Sequence, residues 1–316
     1  MKRRGRVRSV AALAALVLAV TLVLLAGLSC HDEGPEAAQA PAVARPSHPA
    51  LFYDEATFVK AVGAADSRLG PEGPVAGGVI PHHWLAGYLI TAFFRGLADG
   101  DPPETVVLIG PNHSNAGSAR ILTSDLVWAT PFGLVEPAQE WIRWLTENGL
   151  VEIESSVLPT EHSVAGIMPA IKYYLPEARV VPLILSGELT GAETRRLSQA
   201  LVGHWNEGVV LVAAVDFSHY LVRSEAERYD AITLDALRTF DTAALSTFDD
   251  RYLDSPPSIA VLMYTMIGLG ADEFVLLENT NSGALAEDEL APTTSYIVGY
   301  YRPAGSPGEG QVASLP

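Results

Sequence analysis

Five of the chain's eight histidines fall in four short segments: Pro81-His82-His83, Gly110-Pro111-Asn112-His113, Glu161-His162-Ser163 and Asp216-Phe217-Ser218-His219. Neutral imidazole is the commonest protein ligand for zinc, iron and copper, and a carboxylate or a water can complete the shell. Two histidines and an oxygen ligand with open positions suit non-haem Fe(II) chemistry, whereas a His-rich tetrahedron suits zinc. Spacing alone does not choose the metal. A lone histidine can equally cap a strand or satisfy a buried carbonyl, and Glu161 can equally complement the N-terminus of a helix. Asp216, with His219 one short turn on, is placed to orient an imidazole. The remaining histidines are read as bystanders: His31 and His48 in a linker, His204 on a helix beside Trp205.

The elements that must position these residues follow from the apolar pattern. Short runs without polar alternation, at 75–80, 105–109, 179–185, 209–215, 273–277 and 295–301, predict central strands buried on both faces. Helical patterns lie between them, at 86–98, 137–148, 164–174, 192–205, 224–240 and 259–268. The alternation predicts an α/β fold, a single domain with a largely parallel central sheet flanked by helices. Three of the four histidine segments directly follow a predicted strand. In an open parallel sheet the carboxyl ends of the strands share one crevice, so His82 or His83, His113 and His219 can converge from far apart in sequence. Which of His82 and His83 points inward depends on where the strand ends by a single residue.

The chain has 316 residues, of which 48% are hydrophobic and 18% charged, enough apolar side chain for a sizeable core. Its formal charge of −17 argues against nucleic acid, whose sequence-independent binding needs clustered Lys and Arg. Lys2, Arg3, Arg4, Arg6 and Arg8 precede an apolar run from Val10 to Leu28 that ends at the only cysteine, Cys30. Residues 1–30 therefore read as an export signal, cleaved and lipidated at Cys30 or retained as an anchor, which predicts an exported, membrane-attached domain. Without those five cations the chain keeps 15 basic against 37 acidic side chains. With no second cysteine there is no internal disulfide. Residues 31–50, rich in Pro and Ala, read as a flexible tether, 51–303 as the folded domain and 304–316 as a disordered tail.

The motifs GGVIPHH, VVLIGPNHS, TEHSVAGIMPAI and VDFSHY, in this order, resemble the Memo family, whose bacterial and archaeal members are called AmmeMemoRadiSam system protein B. The resemblance runs from about Val75 to Tyr301. It implies a fold like that of the class III extradiol dioxygenases, with His82 and His113 as metal ligands and with His219, Asp216, Glu161 and His162 lining the pocket. The first motif reads Pro81-His82-His83-Trp84-Leu85-Ala86-Gly87-Tyr88 where many relatives have Pro-His-Ala-Gly-Tyr, so His83 is an alternative to His82. The stretch 278–284 lacks the late cysteine of some relatives, which leaves Glu278, Asn281 or a water as the third ligand.

The expectation is thus a membrane-tethered protein with a His-based site for a divalent metal, iron before zinc or copper. Its chemistry would be dioxygenase-like redox turnover of a small molecule, with His219 or His162 moving protons. Two alternatives stand beside it: a metal- or ligand-binding module without turnover, and a zinc hydrolase in which Glu161 activates water.

Overall fold

In the computed structural model, residues 45–303 are described; the expected signal segment with Cys30, the first part of the expected tether and the expected tail lie outside them. Strands are β1 (Ser47–Pro49), β2 (Gly77–Ile80), β3 (Thr105–Asn112), β4 (Ile121–Thr123), β5 (Val127–Thr130), β6 (Gly133–Pro137), β7 (Glu152–Ile153), β8 (Arg179–Ser186), β9 (Val209–Ala214), β10 (Phe217–Leu221), β11 (Glu273–Asn281) and β12 (Thr293–Arg302). Helices are α1 (Glu55–Ala64), α2 (Gly87–Asp99), α3 (Gln139–Glu147), α4 (His162–Ala165), α5 (Met168–Tyr174), α6 (Gly191–His204), α7 (Arg223–Thr239), α8 (Thr242–Leu245), α9 (Pro256–Leu269) and α10 (Ser282–Ala286).

The sheet runs β1-β5-β6-β8-β3-β9-β2-β12-β10, and its middle, β6-β8-β3-β9-β2, is parallel throughout. Strand β12 pairs antiparallel with β2, β10 and β11. The parallel strands are apolar on both faces because both are covered. Ile109, Leu183 and Leu211 face Leu197 of α6 and Leu262 of α9, while their neighbours Leu108, Ile184 and Val212 face Phe93 of α2 and Ile171 of α5. Gly78 of β2 makes room for that second layer: a Cβ there would sit 2.3 Å from the Phe93 ring. All six predicted strands are present, and six further ones join them.

Two expectations need correcting. The helix predicted over 164–174 is broken into α4 and α5, because Pro169 has no N–H to give and its ring excludes the carbonyl four residues back. Part of the expected tether is folded: Ser47–Pro49 extends the sheet beside β5. There His48 is buried, with Nε2 2.6 Å from Ser124 Oγ and its ring 4.5 Å from Trp128. Among the described residues no helix is long and apolar enough to cross a membrane.

Candidate metal centre

Strands β2, β3 and β9 end at one edge of the sheet, and each hands a polar side chain to the space beyond it. After Ile80 the chain turns at Pro81 and presents His82, which is buried. The His82 backbone N–H donates to Asp216 Oδ1 at 3.0 Å, and ring Nδ1 lies 3.1 Å from the Ala214 carbonyl. Only a protonated Nδ1 can bond a carbonyl, so Nε2 carries the free lone pair. Beyond β3, His113 is gripped twice by Glu161, its backbone N–H donating to Oε2 at 2.9 Å and its Nδ1 lying 2.8 Å from Oε1. Its Nε2 likewise points away from that grip. Such partners on the remote nitrogen fix the orientation of a metal-binding imidazole.

His162 lies flat against His113, with ring centroids 4.4 Å apart and planes 20° apart, and its Nδ1 is 3.3 Å from Glu161 Oε1. His82, His113 and His162 each offer a ligand atom, all within 4.8 Å of one another, a group that could hold a metal ion. His82 is the buried member, whereas the side chains of His113 and His162 are 33% and 45% exposed, so the cluster opens toward solvent on their side.

Asp254 completes the constellation, and the sequence reading missed it. Its Oδ2 lies 3.3 Å from His82 Nε2 and 3.5 Å from His113 Nε2, and both of its oxygens are buried without a hydrogen-bond partner. Main-chain pairing holds it there: Asp254 N–H donates to the Asp216 carbonyl at 3.1 Å, Leu253 bridges Phe217, and His219 N–H donates to the Asp250 carbonyl. In the sequence Asp254 precedes Ser255-Pro256-Pro257 and looks like an ordinary acid before a helix start; Ser255 is indeed the N-cap of α9. Only its place opposite two imidazoles distinguishes it.

Charge at the site matches this geometry. Burial lowers the His113 imidazole, but the carboxylates of Asp254 and Glu161 outweigh it and carry the pKa up to about 10. Burial raises Glu161, yet His113 and the N–H groups of Ser163 and His113 bring it down to about 2. Burial, together with the neighbouring His82 and His113, lowers His162. Without a metal the centre therefore keeps a proton between its carboxylates, which is the environment a cation requires. The residues fit a divalent metal: the Nε2 atoms of His82 and His113 both face the buried carboxylate of Asp254, a donor set of two imidazoles and one oxygen.

The other sequence candidates fall elsewhere or serve differently. His83 is turned away from the cluster, its Nδ1 2.8 Å from the Tyr296 hydroxyl, so a one-residue choice at the end of β2 selects His82. His219 sits on β10 outside the three-His group, with a buried Nδ1 that has no partner. Asp216 lines the site as expected: its Oδ1 accepts from the His82 backbone N–H and its Oδ2 lies 3.7 Å from His82 Nε2. Glu161 caps α4 through Ser163 N–H, one of the roles weighed for it, and also grips His113, which the sequence did not indicate. Glu278 and Asn281 are engaged locally, by Asn279 N–H and Ala284 N–H.

The family model described as Memo-like protein matches residues 62–301. A MEMO1 family protein of Methanopyrus kandleri is 29% identical over 280 residues, covering 83% of this chain and 96% of its own. One from Aeropyrum pernix is 30% identical over 284 residues, covering 82% of this chain and 98% of its own. Among solved structures, an uncharacterized protein from Escherichia coli K12 aligns with a TM-score of 0.47 at 13% identity, over 71% of this chain and 100% of that one.

Proposed function

The chain belongs to the Memo-like protein family, and on that premise we propose that it is a metalloprotein in which His82, His113 and Asp254 hold a divalent cation, iron before zinc or copper. Its chemistry in this reading is dioxygenase-like redox turnover of a small molecule. The observation that carries the proposal is the buried Asp254 carboxylate, without a hydrogen bond and facing two imidazole Nε2 atoms at 3.3 and 3.5 Å. Left uncompensated, such a group costs several kcal/mol of desolvation. Two His and one carboxylate is also the donor set that leaves open positions on Fe(II).

When bound, the cation supplies a Lewis acid and, as iron, one-electron redox capacity. The protein's own groups prepare the site for it. Ala214 and Glu161 fix the two imidazoles with Nε2 inward. His162, neutral at pH 7 because its pKa is lowered, stands on the open side as a proton acceptor for a substrate hydroxyl. The zinc hydrolase alternative is disfavoured, since both Glu161 oxygens are taken by His113 and Ser163 and none is left as a general base. In the same reading the basic, apolar start of the chain carries the domain out of the cytoplasm and attaches it to the membrane, through Cys30 or as an anchor.

The test is oxygen uptake by the full chain loaded anaerobically with Fe(II), across a panel of dihydroxy aromatics. Uptake with at least one of them, reduced 100-fold or more (on the order of 3 kcal/mol) in Asp254→Asn, is the expected result. Retained metal with no uptake on any substrate would leave a binding module without turnover.

A further inference from the structure

A cavity of about 120 Å³ has apolar sides formed by Phe52, Tyr53, Phe58, Trp84 and Pro169. Two of its wall residues belong to the segments that carry the clustered histidines: Trp84 follows His82 by two residues, and Gly166 follows His162 by four. Hydrogen bonds join these segments, since Trp84 Nε1–H donates to the Gly166 carbonyl at 3.0 Å and Gly166 N–H donates to the His162 carbonyl at 2.9 Å. Phe52 links the cavity to the histidines directly. Its ring lies 5.9 Å from that of His162, which lies 4.9 Å from that of His82. Phe52 is 40% exposed and the His162 side chain 45%, so the two stand together on the open side of the centre. The lining is chemically one-sided. Phe58 packs on both Tyr53 and Trp84 with ring centroids 5.6 Å apart, and none of the described residues that line the cavity is basic. Its one acid, Asp54, is engaged in capping α1 through Thr57 N–H at 2.8 Å.

The geometry points to an apolar subsite of the metal centre: the ligand whose oxygens meet the metal carries a short, uncharged hydrocarbon substituent that passes Phe52 into this cavity, and Phe52 is the residue that selects for it. The assignment rests on the metal-centre reading for where the oxygens sit, whereas the cavity and its lining do not depend on that reading. Size limits the substituent. An apolar cavity of roughly 150 Å³ takes one benzene ring, so a short chain or a single small ring fits here and a larger group does not. Each methylene buried against these aromatic faces is rewarded, while a charged tail would lose its hydration and meet no partner.

Calorimetric titration of the zinc-loaded full chain compares catechol with 4-butylcatechol and with 3-(3,4-dihydroxyphenyl)propanoate, whose tail is of similar length but ends in a carboxylate. The butyl compound should bind about tenfold or more tightly than catechol, and the propanoate no more tightly than catechol. Phe52→Ala should cut the butyl preference by about threefold or more, and Phe52→Leu should keep most of it; the exposure of Phe52 spares the core in both variants. Equal binding of catechol and 4-butylcatechol, a propanoate that matches the butyl compound, or a preference unchanged in Phe52→Ala overturns the assignment. In parallel, metal-free protein is titrated with benzene and followed by NMR through the Trp84 indole N–H, identified by its loss in Trp84→Phe. A saturable shift, weakened in Phe52→Ala, is expected. That shift without any catechol binding to the loaded protein would sink the metal reading and keep the apolar subsite; no shift with benzene overturns the subsite itself.

Discussion

Two buried carboxylates, Asp254 and Asp230, meet the cost of burial differently. Asp254 faces imidazoles and, in the proposed reading, a cation. Asp230 is buried with only Ser218 Oγ on Oδ1, at 2.6 Å, and no partner on Oδ2, so burial pushes its pKa from 3.8 to about 6. The native state then keeps its proton where the unfolded chain has released it. Stability from this group is complete below pH 3.8, falls as pH rises toward about 6 and stays low above it. A shift of this size corresponds to about 3 kcal/mol at neutral pH. Asp230→Asn should accordingly raise the unfolding free energy at pH 7.5 by about 1–3 kcal/mol and leave it unchanged near pH 3.5. Equal effects at both values in urea denaturation would show that charge is not what strains this position. Much of the site was legible at this scale, because His82 and His113 sit in motifs that adjoin strand ends and Glu161 and His162 in one that opens a helix. Asp254 was not, since nothing in Leu253-Asp254-Ser255 marks an acid that meets its partners only through main-chain pairing with 216–219.

Positioning depends on how closely elements approach one another. Strand β3 delivers His113, and α4 delivers Glu161 and His162; the two meet where Gly110 has no side chain. A Cβ at Gly110 would lie 2.8 Å from Ser163 Oγ and 3.3 Å from the Ala214 carbonyl, so α4 or β9 would have to retreat. Gly110→Ala should cost about 1–3 kcal/mol of stability and weaken metal affinity by loosening the Glu161 grip. An unchanged denaturation midpoint would mean the strand–helix contact is slacker than the distances indicate. The long apolar strands were readable from sequence because both of their faces are covered. The short strands β4 to β7 were not, since two to five residues, several of them exposed, carry no periodicity.

At the scale of the whole molecule, the parallel sheet brings His82 and Asp216, 134 positions apart, to one edge. Its outer limit lies further out than composition indicated: Pro and Ala over 31–50 read as linker, yet His48 is a buried part of the sheet edge. A chain beginning at residue 51 should therefore be less stable than one beginning at residue 45, by about 2 kcal/mol or roughly 5 °C in Tm. Matching melting curves would return 45–50 to the tether.

The central claim is the metal centre, and its most direct test is elemental mass spectrometry of the full chain after reconstitution with iron, zinc and copper. Roughly one divalent ion per chain is expected for this ligand set, lost in His82→Ala, His113→Ala and Asp254→Asn and retained in His83→Ala. No bound metal under any loading condition, or full loading of Asp254→Asn alongside loss in His83→Ala, would contradict the account.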